Sequence, residues 1–205
     1  MTKYVTEAIG TLLLTFTVGL TSDPVAIGTV LIALIYVCIH KSDAHFNPAV
    51  SIAAWARGKL SPGELAGYLT GQFSGGILAA GLCWWITDVT FYSAPDPSAT
   101  TLQFISIELI FSLLLILTYI MLIYPAKRRK NPVYGVIIGI VFAGCLLVSQ
   151  PIAGTGLNPA ITTSFALFDY MNFGDAYQFL PVYILAPFIS GLLASVLHRI
   201  LLSEK

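Results

Sequence analysis

The triplet Asn-Pro-Ala occurs twice in this chain, at Asn47-Pro48-Ala49 and at Asn158-Pro159-Ala160. Proline suits the first turn of a helix, where its missing N–H would have had no partner anyway. Asparagine is a favoured N-cap, holding that turn through its side chain. Each triplet therefore predicts a helix start, over about Pro48–Ala56 and Pro159–Leu167. Two such ends meeting would aim about half an elementary positive charge each into one space. The Asn47 and Asn158 amides would stand beside that space as hydrogen-bond donors. This is equipment for handling polar, uncharged molecules rather than for breaking bonds. No nucleophile–base pair or metal-ligand cluster accompanies it at the same depth, so neither an enzyme nor a bound cofactor or metal is expected.

Two carboxylates, Glu7 and Glu108, sit inside apolar stretches. A carboxylate at membrane depth is costly unless paired, so each is expected to brace a neighbouring segment or, alternatively, to relay protons. His40 and His45 flank the first triplet. Their expected role is hydrogen bonding that shapes the loop; a pH gate is the alternative, because histidine titrates near neutrality. Cys38, Cys83 and Cys145 all lie in apolar segments and read as small buried hydrophobes rather than as a disulfide set.

The elements that must position these groups follow from composition. Of 205 residues, 57% are hydrophobic and 10% charged. Residues 65–87, 131–168 and 176–197 contain no Asp, Glu, Lys or Arg. Crossing a hydrocarbon core of about 30 Å takes about 20 apolar residues. The expected spans are Tyr4–Thr21, Pro24–His40, Gly63–Thr87, Thr101–Tyr124, Pro132–Ser149 and Asp175–Leu202. The first holds Glu7 and lacks a small-residue cleavage pattern, so it reads as a span rather than a signal peptide. The apolar segments after Asn47 and Asn158 run only about ten residues, too short to cross. They are expected to dip in and return.

With the N-terminus inside, all 10 Lys and Arg residues fall on the cytoplasmic side. They include Lys3, Lys41, Arg57, Lys59, the Lys127–Lys130 run, Arg199 and Lys205. Asp23, Asp88, Asp96, Asp169 and Asp175 fall on the other side, as the positive-inside rule requires. The Lys127–Lys130 run is then a short cytoplasmic loop rather than a nucleic-acid patch, and both termini are cytoplasmic. A multi-pass protein of the plasma (inner) membrane is expected, with the lipid bilayer as its surroundings.

The chain also repeats itself. Glu7 and the first triplet in one half match Glu108 and the second triplet in the other. The leading spans of the two halves cross in opposite directions. One membrane domain over 1–205 is expected, built from inverted repeats of about 1–87 and 101–202. Such repeats, with interrupted helices meeting near the midplane, recur in solute pathways, and broken backbone at that depth is tolerated only where protein or a wet cavity satisfies it.

At this point the sequence resembles the aquaporin, or major intrinsic protein, family along nearly its whole length. The residues that carry the likeness are Glu7-Ala-Ile-Gly-Thr-Leu, the stretch His40-Lys-Ser-Asp-Ala-His-Phe-Asn-Pro-Ala-Val-Ser and Gly71-Gln72. Gly75-Gly76, Glu108 and Gly154-Thr-Gly-Leu-Asn-Pro-Ala complete it. The resemblance implies an all-α membrane fold of six transmembrane helices plus two re-entrant half-helices. It also implies an hourglass pore in each subunit, a homotetramer, and passive flow of small neutral solutes.

Carried over from the resemblance by spacing from the two asparagines, the outer constriction falls on Ile27, Leu146, Thr155 and Ile161. Water-selective relatives have an arginine at the position of Ile161, an aromatic at that of Ile27 and a histidine at that of Leu146. A wider, apolar opening without a fixed positive barrier is therefore expected. Water, glycerol, urea, ammonia, hydrogen peroxide and undissociated metalloid acids are all candidate passengers. Two other classes fit parts of the pattern. A secondary transporter also uses inverted repeats, but coupling needs more buried ionisable groups than Glu7 and Glu108. A membrane adhesion or scaffold protein would keep the fold and lose conduction.

Overall fold

The computed structural model describes residues 1–124 and 131–202. Among the described residues there are eight α-helices and no strand. They are α1 (Thr2–Leu20), α2 (Pro24–Ser42), α3 (Pro48–Ala56), α4 (Pro62–Thr87), α5 (Thr101–Ile123), α6 (Tyr134–Ala153), α7 (Pro159–Met171) and α8 (Leu180–Leu202). Six are long and two, α3 and α7, are short. Of the basic residues assigned to one side, Lys127, Arg128, Arg129, Lys130 and Lys205 lie outside the described residues.

Side-chain caps set most of the helix starts. Asp23 accepts from Ala26 N at 2.8 Å, satisfying one of the donors a helix start leaves open. Ser61 with Glu64 and Thr100 with Gln103 form reciprocal capping boxes at α4 and α5. By length and hydropathy alone, α2, α5, α6 and the segment Ala176–Leu202 are apolar enough to cross a membrane. Helices α1 and α4 are less apolar because their polar residues turn inward: Glu7, Thr11, Thr15 and Gln72 are all fully buried.

Boundaries move by a few residues. Helix α7 runs to Met171, four residues beyond its expected end, and buried Asp169 then accepts from Ala176 N at 3.0 Å to fasten the next turn. That turn, Ala176–Phe179, is a 3-10 helix, so the last span begins tighter than expected.

Helix contacts come in matched pairs. α1 packs on α4 as α5 packs on α8, α1 meets α2 as α5 meets α6, and α2 meets α6 between the halves. Each half-helix also lies against the last long helix of the opposite half, α3 on α8 and α7 on α4. Glycines permit both crossings. A Cβ on Gly191 of α8 would lie 2.6 Å from Ala49 O, and one on Gly76 of α4 would lie 3.0 Å from Ala160 O.

Candidate functional site

The site begins with two residues in left-handed conformation. Phe46 has φ 49° and Leu157 has φ 66°, a conformation that costs a residue with a side chain about 1–2 kcal/mol. Each immediately precedes an asparagine of the triplets, and each is held by a carboxylate. Glu7 Oε2 accepts from Phe46 N at 2.8 Å and Glu7 Oε1 from His45 N at 2.9 Å. Glu108 Oε2 accepts from Leu157 N at 3.0 Å. Fixing those N–H groups orients the carbonyls on the other side of the same residues.

Those carbonyls meet the asparagines of the opposite half. Asn47 Nδ2 donates to Leu157 O at 2.9 Å, and Asn158 Nδ2 donates to Phe46 O at 2.9 Å. Meanwhile the Oδ1 atoms cap their own helices, Asn47 accepting from Ala49 N at 2.9 Å and Asn158 from Ala160 N at 3.1 Å. An amide NH2 carries two hydrogens, so each asparagine keeps a second N–H after this pairing. Both half-helix N-termini are thus brought to one place, with Pro48 and Pro159 at the first helical position. A cavity of about 20 Å³ lies beside both asparagines, lined also by Leu14, Leu31, His45 and Phe142.

His45 is buried between hydroxyls, Nδ1 at 3.0 Å from Ser51 Oγ and Nε2 at 2.5 Å from Tyr124 Oη. His40 does not share this role. It is exposed in the last turn of α2, lining a separate cavity of about 300 Å³ with Asp43 and Tyr134.

The four constriction positions are also buried: Ile27 and Leu146 are 0% exposed, Ile161 1% and Thr155 6%. Ile27, Leu146 and Ile161 belong to one continuous apolar cluster. All four positions therefore lie within the protein interior. Branched aliphatic side chains have no hydrated group to keep water beside them, so they fill the space at the density of a protein interior. Thr155 is tied down twice, its hydroxyl accepting from Gln150 Nε2 at 3.2 Å and its carbonyl from Ser93 Oγ at 2.7 Å.

Several residues that hold the loops were not singled out from sequence. Tyr68 donates to Ser42 O at the end of α2, and Tyr183 donates to Ala153 O at the end of α6 at 2.6 Å, a matched pair across the repeat. Tyr119 donates to Ala44 O at 2.7 Å. Gln72 Nε2 bridges Glu7 Oε2 at 2.7 Å and Ser51 Oγ at 2.9 Å. The signal was there for the tyrosines, because a phenol inside an apolar span must find an acceptor.

Known proteins match this chain in sequence and in fold. Residues 1–198 match the family described as Major intrinsic protein. Aquaporin Z of Photorhabdus laumondii is 30% identical over 203 residues, covering 92% of this chain and 85% of its own. Aquaporin AqpM of Methanothermobacter thermautotrophicus is 31% identical over 187 residues, covering 87% of this chain and 76% of its own. The X-ray structure of the aquaglyceroporin from Plasmodium falciparum superposes with a TM-score of 0.81 at 19% identity, over 98% of this chain and 95% of that one. That likeness speaks for the fold, and the family match speaks for the kind of protein. This chain belongs to the major intrinsic protein family, integral membrane channels for small solutes and not enzymes.

Proposed function

We propose that this channel passes water-sized uncharged molecules, namely water, ammonia and hydrogen peroxide, along a path beside Asn47 and Asn158 and then through Ile27, Leu146, Thr155 and Ile161. The observation that carries the reading is the reciprocal bond between each asparagine and the carbonyl before the other. It puts two positive helix ends and two spare N–H donors against a cavity of about 20 Å³, enough for about one water molecule. Those helix ends raise the energy of a cation at the midpoint.

Size and polarity then rank the candidate passengers. The proposed constriction is apolar apart from Thr155, and its four residues are buried. A solute that enters must shed hydrogen bonds it cannot replace, at about 1–3 kcal/mol for each unsatisfied group. Glycerol, urea and undissociated metalloid acids carry more such groups and more bulk than water, ammonia or peroxide. They are disfavoured on both counts. Passage requires the aliphatic side chains to move aside.

In this reading the face holding Lys3, Lys41, Arg57 and Lys59 is cytoplasmic, with both termini on that side of the plasma membrane. The subunits assemble as a homotetramer, as the family likeness implies. One observation favours a second reading: the burial of Ile27, Leu146 and Ile161 also suits a scaffold protein that has ceased to conduct.

Stopped-flow measurements on proteoliposomes separate these readings. Gradients of water, ammonia, hydrogen peroxide, glycerol and urea should give excess permeability for the first three and little for the last two. No excess for any solute would establish the scaffold reading, and glycerol passing as readily as water would refute the narrow filter. The Ile161→Arg variant should alter the solute profile; an unaltered one would remove Ile161 from the constriction.

A further inference from the structure

Gln150 stands on α6 one turn beyond Leu146, on the same helix face, since residues four apart are neighbours on a helix surface. It is only partly buried. Its Nε2 lies 2.9 Å from Ser22 O in the turn between α1 and α2. The same nitrogen lies 3.2 Å from the hydroxyl of Thr155. Gln150 therefore touches one member of the constriction, adjoins a second along its own helix, and reaches the turn that precedes Ile27. It sits at the outer lip.

The chemistry of those two contacts fixes which way the amide faces. Ser22 O is a backbone carbonyl and can only accept, so the atom facing it must be the NH2 group. Turning the amide over would set Oε1 against that carbonyl, acceptor on acceptor. With both hydrogens directed at Ser22 O and Thr155 Oγ1, the side chain has only Oε1 left to offer. Among the described residues, no donor is paired with it.

We propose that Gln150 is a specificity-determining residue of the channel, presenting a fixed hydrogen-bond acceptor at the outer lip that favours strong O–H donors over ammonia. This rests on the reading above that water-sized neutral molecules pass. Hydrogen peroxide and water give strong O–H hydrogen bonds, whereas ammonia is a weak N–H donor and mainly an acceptor. An oxygen held at the lip therefore offsets the lost hydration of peroxide more than that of ammonia.

The test compares hydrogen peroxide and ammonia permeabilities of the same proteoliposomes for the full chain and for Gln150→Leu, with Gln150→Met as a second variant that keeps the side-chain length. The ratio of peroxide to ammonia permeability should fall by about fivefold in a variant that folds, the scale of one net hydrogen bond. A purely structural role would lower both permeabilities together and leave the ratio unchanged, and that result overturns the proposal. Should the unsubstituted channel pass neither solute, the conducting function itself fails and this inference falls with it. A conducting wild type with an unmoved ratio refutes the role of Gln150 alone.

Discussion

Glu7 accepts three hydrogen bonds where its counterpart Glu108 accepts one. Around Glu7 the donors are His45 N, Phe46 N and Gln72 Nε2. Around Glu108 the donor is Leu157 N, and Oε1 is buried without a partner among the described residues. The asymmetry has a local cause. Gln72 of α4, four residues after Tyr68, supplies the third donor in the first half, while four residues after the matching Tyr183 of α8 stands Pro187, which has no side-chain donor.

The two carboxylates should therefore respond differently to amide replacement. In Glu7→Gln the new NH2 must face at least one N–H, leaving a buried donor against a donor at a cost of about 1–3 kcal/mol. In Glu108→Gln the oxygen can stay on Leu157 N while the NH2 takes the unpaired side. Thermal unfolding of the detergent-purified variants should show a clear drop in Tm for Glu7→Gln and little change for Glu108→Gln. Equal drops would mean that the two loops are not held in the unequal way described.

The asparagine pair makes a matched prediction. Asn47→Asp and Asn158→Asp each keep the oxygen that caps the half-helix but set a carboxylate oxygen against Leu157 O or Phe46 O. With both bonds at 2.9 Å, the two variants should lose similar stability, about 1–3 kcal/mol each. Both should also lose water permeability. A variant with an unchanged Tm would show that its crossing bond is not formed.

Much of this was legible in the sequence, for identifiable reasons. The doubled Asn-Pro-Ala encodes its own geometry, since proline and an N-cap residue act within one helical turn, and the half-helices begin where those rules put them. The bracing carboxylates were readable because burial of Glu7 and Glu108 demands partners. The packing of the constriction positions was not. It depends on how Ile27, Leu146 and Ile161, drawn from three helices, pack around one another, and no local pattern reports that. His40 and His45 both flank the first triplet, but proximity in sequence does not say that His45 is buried and His40 exposed. The contacts of Ser93 and Gln150 depend on two irregular segments, 88–100 and 21–23, meeting residues 150–155, a tertiary meeting without a sequence period.

The crossings between half-helices and long helices should tolerate no side chain. In Gly191→Ala the new Cβ would sit 2.6 Å from Ala49 O, a backbone atom of the first triplet that cannot swing aside. Overpacking of this kind costs about 1–3 kcal/mol. Because the strained atom belongs to the half-helix, permeability should fall along with Tm. Gly144→Ala, with nothing within 4 Å of its Cβ, is the matched control and should leave both unchanged. If Gly191→Ala behaves like the control, α8 and α3 do not approach as closely as described.

Shortening an aliphatic side chain of the constriction should relax the size limit. Leu146 is fully buried in the same apolar cluster as Ile27 and Ile161, so Leu146→Ala opens space at the proposed constriction. In a sealed core such a truncation costs about 2–5 kcal/mol, much of it for the cavity left behind. On the proposed pathway water would fill that space, so the stability loss should lie near the lower end. Permeability to glycerol and urea should rise several-fold above that of the unsubstituted channel in stopped-flow light scattering, with water permeability at least maintained. Glycerol flux that stays low, with the variant folded and water still passing, would show that the narrowest point lies elsewhere, nearer the small cavity at Asn47 and Asn158 than the ring of Ile27, Leu146 and Ile161.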